Sequence, residues 1–165
     1  MIKKAIAFTD NEPVLFAGFV ATLMLGGAFA FQQAGYPPCD LCWWQRYPYM
    51  AIMGFSLVGT VVKAIPQKAL LFVLAALFLT DAGIAAFHVG VEQRWWEGLS
   101  TCSSFVNYTD NINDALDAIM NAPIVRCDEV AWSLFGVSMA GYNMLIALAM
   151  TAFCAQKFVG ISKKA

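Results

Sequence analysis

Charge is what this sequence has least of. No Asp, Glu, Lys or Arg occurs between Pro13 and Cys39, Tyr47 and Val62, Ala69 and Thr80, or Val130 and Gln156. Charged residues form only 13% of the 165-residue chain, against about 25% in an ordinary soluble domain. That scarcity argues against a disordered chain, a basic nucleic-acid binder and a typical cytosolic enzyme. Internal repeats and low-complexity segments are also absent. The length suits one domain.

What fills the uncharged stretches is apolar. The hydrophobic fraction is 60% and the mean hydropathy is +0.64. A membrane span needs about 20 mostly apolar residues to cross about 30 Å of hydrocarbon. The pattern predicts an all-α fold, a four-helix transmembrane bundle with spans at 13–33, 43–62, 69–91 and 136–157. Two outer loops result, 34–42 and 92–135, within a single membrane domain covering 1–165. Lys3, Lys4 and the Ala28-Phe29-Ala30 run imitate a cleaved signal peptide. Asp10 and Glu12 interrupt its basic region, however, and the apolar run is long for such a segment. A very apolar soluble bundle fails for a different reason, because helices without a polar face have nowhere to sit in water.

The placement of charge predicts the orientation. All seven lysines (Lys3, Lys4, Lys63, Lys68, Lys157, Lys163 and Lys164) fall on the side of the termini. Arg46, Arg94 and Arg126 fall on the other side with most of the acids, so the positive-inside rule makes the lysine side cytoplasmic. Cys39, Cys42, Cys102 and Cys127 then lie in the outer loops, and only Cys154 lies in a span. Four cysteines on an oxidising face read as two disulfide-capable pairs, which fits a bacterial inner membrane with periplasmic loops. In the long loop, Ile112, Ala115, Leu116, Ile119 and Met120 recur at helical spacing, with Asn111 as N-cap and Pro123 beyond the end. This predicts a short amphipathic helix, lying on the membrane surface or packed against the loop's own core.

Cys39-Asp40-Leu41-Cys42 is a C-x-x-C motif just before a predicted helix. Such spacing lets two sulfurs bond, and a helix N-terminus stabilises a thiolate. Cys42, nearer to the predicted start at Trp43, is the better candidate for the persistent thiolate, and Arg46 adds positive charge one turn later. The alternatives are a structural disulfide, or half of a zinc site completed by Cys102 and Cys127. A Cys102–Cys127 crosslink would be worth roughly 3.5 kcal/mol in chain entropy, so it reads equally as a staple. The small, polar flank Thr101-Cys102-Ser103-Ser104 suits attack by an outside thiolate.

Other residues carry two readings each. Arg46 is either a cation and N–H donor serving the Cys42 thiolate or an interfacial anchor that snorkels to the headgroups. His88 is either a helix-packing histidine or a donor at the redox site. Asp81, two turns before His88 on one face, is either functional or a hydrogen-bonded helix contact. Cys154, in apolar surroundings, is unreactive. The five tryptophans, Trp43, Trp44, Trp95, Trp96 and Trp132, suit an aromatic belt at the outer interface.

The order of these features resembles the DsbB family of disulfide-generating membrane proteins. The resemblance rests on Pro37-Pro38-Cys39-Asp40-Leu41-Cys42 followed by Gln45-Arg46, on Ala86-Phe87-His88 running on to Glu92, and on the Cys102 and Arg126-Cys127-Asp128-Glu129 segments. It implies that a periplasmic thioredoxin-fold oxidase of the DsbA type attacks the Cys102–Cys127 disulfide at Cys102. Cys127 would then attack the Cys39–Cys42 disulfide at Cys39, and Cys42 would pass electrons to a quinone, ubiquinone or menaquinone. Arg46 and His88 match the family's quinone-site positions. The implied partners are the DsbA-type oxidase, the membrane quinone pool and the lipid bilayer, with no nucleic acid and no metal. Vitamin K epoxide reductase-like enzymes share these ingredients, but their loop pair precedes the C-x-x-C, whereas here it follows. A non-enzymatic tetraspan protein with two stapled loops is the remaining alternative.

Overall fold

The structure is a computed structural model that describes residues 12–99 and 125–162, together with Thr9 and Met120. Cys102, Lys3, Lys4, Lys163, Lys164 and, apart from Met120, the expected amphipathic helix of the long loop lie outside the described residues.

Four long helices make up nearly all of it: α1 Pro13–Gln33, α2 Asp40–Val61, α3 Gln67–Glu92 and α4 Met139–Ser162. Pro13 opens α1 at a position where its missing N–H costs nothing. Gly35 closes it at φ +97°, with Tyr36 N–H reaching the Phe31 carbonyl (3.1 Å) and Gly35 N–H the Gln32 carbonyl (3.2 Å). This paired closure satisfies carbonyls that the helix end would otherwise orphan. Arg94, at φ 59°, ends α3 in the same way.

Three of the four helices are long and apolar enough to cross a membrane: Pro13–Gln33, Gln67–Glu92 and Met139–Ile161, with mean hydropathies of 2.1, 2.2 and 1.7. The 22-residue α2 has the length, but Asp40, Gln45 and Arg46 near its start lower its apolarity. Outward faces carry Leu23, Leu57, Phe72 and Leu145, all more than half exposed, which is how a lipid-facing surface differs from a water-facing one.

Two starts differ from the sequence expectation by three residues each, while α3 begins two residues early and α4 runs on from the expected end at 157 to Ser162. The second helix begins at Asp40 rather than Trp43, because Cys39 adopts an extended backbone and its sulfur accepts the Cys42 N–H at 3.3 Å, acting as N-cap. The fourth begins at Met139 rather than 136. Ser133–Leu134 (β1) and Val137–Ser138 (β2) instead pair antiparallel around Phe135 (φ 50°) and Gly136 (φ 78°). Two successive positive φ values define the tight hairpin turn that matches strand twist, and they are incompatible with a helix start. Ser138 then caps α4, its Oγ accepting Gly141 N–H at 3.1 Å.

Consecutive helices pack side by side, α4 chiefly on α3 and α1 on α2. The main core joins Ala17 and Ala21 of α1, Tyr49 and Ile52 of α2, Leu71, Leu74 and Phe78 of α3, and Met150 and Cys154 of α4. Small residues let the backbones approach, since dispersion rather than hydrophobic exclusion drives helix association in lipid. A Cβ built on Gly18 would stand 2.6 Å from Ser56 Cβ, whereas one on Gly83 meets nothing within 4 Å. Gly18→Ala is therefore expected to destabilise the detergent-solubilised protein by roughly 1–3 kcal/mol. Gly83→Ala should leave its thermal midpoint near the parent value; equal behaviour of the two would contradict this packing.

Candidate redox site

The sulfurs of Cys39 and Cys42 lie 2.7 Å apart. Separation by three residues across the first turn of α2 puts both on one face, so a bond between them needs only a small adjustment. Cys127, fully buried, joins Cys39, Leu41 and Val91 in a second cluster at this end of the bundle. The Cys39 thiol hydrogen-bonds with those of Cys127 and Cys42, and these contacts together with burial push it far above the usual thiol range. The structure thus brings together three of the four outer-loop cysteines; Cys102 lies outside the described residues. Cys154 is buried in the main core with Leu70 and Phe78, apart from the others.

His88 reaches the same spot from α3. Its Nε2 is 3.6 Å from the Cys39 sulfur and 3.9 Å from Glu92 Oε1, and its Nδ1 is 2.8 Å from Gln45 Nε2. Glu92 in turn accepts a hydrogen bond from Ser138 at the start of α4. Gln45 accepts from Asn143 Nδ2 at 2.7 Å, and that same nitrogen donates to Asp81 Oδ2 at 3.0 Å. Tyr49 donates to Asn143 Oδ1 at 2.6 Å. Asp81 is therefore tied into a hydrogen-bonded network that extends from it to Cys39.

Arg46 is 5% exposed, which does not fit an outward-snorkelling anchor. Its guanidinium donates to Gln32 Oε1 (2.6 Å) and to the Ala28 carbonyl (3.3 Å) and lies between the Phe29 and Trp43 rings, 4.7 and 4.6 Å from their centroids. Cation–π contacts of this kind contribute roughly 0.5–2 kcal/mol each. Its Nε has no hydrogen-bond partner. Trp44, Trp95 and Trp96 are exposed; Trp96 also stacks on Phe87, and Trp132 packs on Phe31. Arg126 pairs with Asp128 at 2.7 Å and holds its carboxyl below the usual range. Being solvent-exposed, this pair adds little stability.

Several of these groups line one cavity of about 400 Å3, walled mainly by apolar side chains. Cys39, Cys42, Arg46 and His88 all face it, with Tyr142 and Trp132 among its walls. Such a space suits a flat, largely apolar ligand bearing a few polar atoms. Arg46, which lines the cavity, supplies a guanidinium for an oxygen of such a ligand. Cys39, Cys42 and His88 also offer three donor atoms within 4.8 Å of one another.

Gln32, Tyr49, Asn143 and Ser138 belong to no motif in the sequence, and Gln45 and Glu92 stand there only as parts of one. The available signal was polarity at core spacing: Leu41, Gln45, Tyr49, Ile52 and Ser56 follow each other every three or four residues, and all are buried.

Thiols clustered beside a cavity, in a bundle of membrane-length helices, define a membrane disulfide oxidoreductase. The sequence matches the family described as "Disulfide bond formation protein DsbB" over residues 11–156, and the chain belongs to that family. The "Disulfide bond formation protein B" of Methylobacillus flagellatus is 30% identical over 147 residues, covering 84% of this chain and 87% of that protein. Its counterpart from Psychrobacter is 26% identical over 160 residues, 90% of each chain. An uncharacterised Rickettsia prowazekii protein is 26% identical over 120 residues, 72% of this chain and 69% of its own. No solved structure matches the chain. Family and helices together make this an inner-membrane protein of disulfide bond formation.

The packing of Cys127 on Cys39 has a direct test. With Cys42 and Cys102 both replaced by Ser, mild oxidation should crosslink Cys39 to Cys127, seen as one linked peptide pair by mass spectrometry. Cys39 and Cys127 that stay reduced under conditions that oxidise the parent protein would contradict the placement.

Proposed function

We propose that this protein is a thiol:quinone oxidoreductase that reoxidises a periplasmic dithiol oxidase of the DsbA type. The observation that carries the reading is the contact of Cys127 with Cys39 at a cavity that Cys42 and Arg46 also line.

A thiolate of the partner attacks Cys102 of the Cys102–Cys127 disulfide and releases Cys127. Cys127 attacks Cys39, the Cys39–Cys42 bond breaks, and its electron pair leaves on Cys42. The partner's second thiol displaces Cys102, completing the partner's disulfide. Cys102 then re-forms its bond to Cys127 and expels Cys39, which bonds again to Cys42 as two electrons leave for the acceptor. When bound, the quinone supplies the oxidising power, taking two electrons and two protons to become a quinol. The Cys39 position suits attack by Cys127 because the two side chains share one buried cluster from which water is largely excluded.

Arg46 would hold a quinone oxygen through its guanidinium at the cavity wall and stabilise the charge developing there. His88 lines the same cavity, and the aromatic walls would hold the ring. Ubiquinone and menaquinone both present this chemistry. Four membrane spans with cytoplasmic termini fit the same reading. Lys68 lies against Phe158, so the lysine-bearing ends of α3 and α4 meet at the end of the bundle remote from Cys39, Cys42 and Cys127.

Purified protein in detergent, supplied with quinone and a reduced thioredoxin-fold dithiol protein, should bleach the quinone absorbance with thiol-dependent kinetics. Cys39→Ser, Cys42→Ser, Cys102→Ser or Cys127→Ser should abolish this turnover, and Cys154→Ala should preserve it. Arg46→Ala should slow it by about 100-fold, the usual effect of removing a donor to a developing oxyanion, with Arg46→Lys intermediate. A parent protein that reduces no quinone would favour the stapled, non-enzymatic reading.

A further inference from the structure

Asp81, Asn143, Tyr49 and Gln45 take no part in the exchange just described, yet they form a continuous buried network that ends on His88. Its hydrogen bonds allow one polarity. The Leu41 carbonyl can only accept, so the Gln45 atom 3.2 Å from it is the amide nitrogen. Gln45 oxygen therefore faces Asn143, whose nitrogen spends its two N–H groups on Gln45 (2.7 Å) and on Asp81 (3.0 Å). The Asn143 oxygen is left to accept the Tyr49 hydroxyl. Every orientation agrees with the others. Gln45 nitrogen then donates to His88 Nδ1 at 2.8 Å, so Nδ1 carries no proton. In a neutral ring the proton sits on Nε2. The neighbours of Nε2 fit a donor there: the Cys39 sulfur at 3.6 Å and Glu92 Oε1 at 3.9 Å.

We propose that Gln45, Asn143 and Asp81 are positioning residues that hold His88 in its Nε2–H tautomer, so that the ring presents an N–H donor to the Cys39 sulfur. This rests on the thiol:quinone reading, in which Cys39 is expelled as a thiolate when Cys102 attacks Cys127. At that moment the bond between Cys39 and Cys127 breaks and the electron pair stays on the Cys39 sulfur. A donor already aimed there stabilises the leaving group without reorganisation. The opposite tautomer would place a lone pair against the sulfur and repel the same charge. The tautomer also disarms a competing use of the cluster. Cys39, Cys42 and His88 have the spacing of a metal site, but a protonated Nε2 is not a ligand.

His88 is the only histidine in the chain, so its ring can be observed without assignment work. The test is nitrogen-15 NMR of histidine-labelled, full-length protein in detergent, purified without a polyhistidine tag. The parent protein should show an unprotonated Nδ1 and a protonated Nε2. Gln45→Glu replaces the donor by an acceptor and should move the proton to Nδ1. Asn143→Leu and Asp81→Leu free the chain to rotate and should give a mixture of tautomers, while Asp81→Asn keeps an acceptor oxygen and should restore the parent pattern. Turnover in Asn143→Leu should fall roughly tenfold or more, the effect of losing one hydrogen bond to a charged group. A parent ring protonated on Nδ1, or ring signals unmoved by Gln45→Glu, would overturn the proposal. The parent spectrum decides the tautomer even if a variant fails to fold. Absent quinone reduction with the expected ring signals would overturn the function and not the tautomer.

Discussion

Asn143 spends every hydrogen-bonding atom of its side chain inside the bundle, on Tyr49 and Gln45 of α2 and on Asp81 of α3. In hydrocarbon there is no water to take over a bond that the protein drops, and each unsatisfied polar group costs several kcal/mol. The residue therefore ties three helices at one level. Interhelical hydrogen bonds of this type contribute only about 0.6–2 kcal/mol each. Their larger effect is on register: sliding α4 by one residue would break all three at once. That register also sets His88 opposite Cys39, so the alignment of the redox cluster depends on polar contacts deeper in the bundle.

The rest of the bundle is divided accordingly. Towards the lysine-bearing end, Ala17, Ala21, Leu71, Leu74 and Phe78 fill the space between the helices with no charged group among them. Towards the cysteines the packing opens, because α4 leans on α3 and leaves room beside α1 and α2. Arg46 lines that opening, clamped between two aromatic rings and anchored by Gln32 and Ala28. A guanidinium in an apolar wall is stable only when its donors are largely occupied, and Arg46 leaves only its buried Nε without a partner. The cation is thereby fixed in place on the cavity wall.

The parts of this arrangement that were legible in the sequence are those governed by long runs. Uncharged stretches located α1 and α3 to within two residues at either end, since a membrane helix is an extended statistical signal. The C-x-x-C and its arginine were legible because their spacing is local. The start of α4 was not. Phe135-Gly136 is a two-residue turn inside an apolar stretch, and hydropathy does not distinguish a strand pair from a helix there. The Asn143 network was illegible for a different reason. A lone asparagine in an apolar helix names no partner, and its partners lie 94, 98 and 62 residues away in the sequence. Asp81 stood out as an intramembrane acid, yet what it binds depends on how three helices rotate against each other.

Cys39 as N-cap, with Cys42 inside the first turn, has a consequence for how such a site can change over generations. The reach between the two sulfurs is metered by the pitch of the helix and not by side-chain packing. Replacing Asp40 or Leu41 leaves that reach alone, while altering the charge and dielectric that the sulfurs experience. Geometry and driving force are thereby uncoupled: the backbone holds the first constant, and two intervening side chains act as a dial for the second.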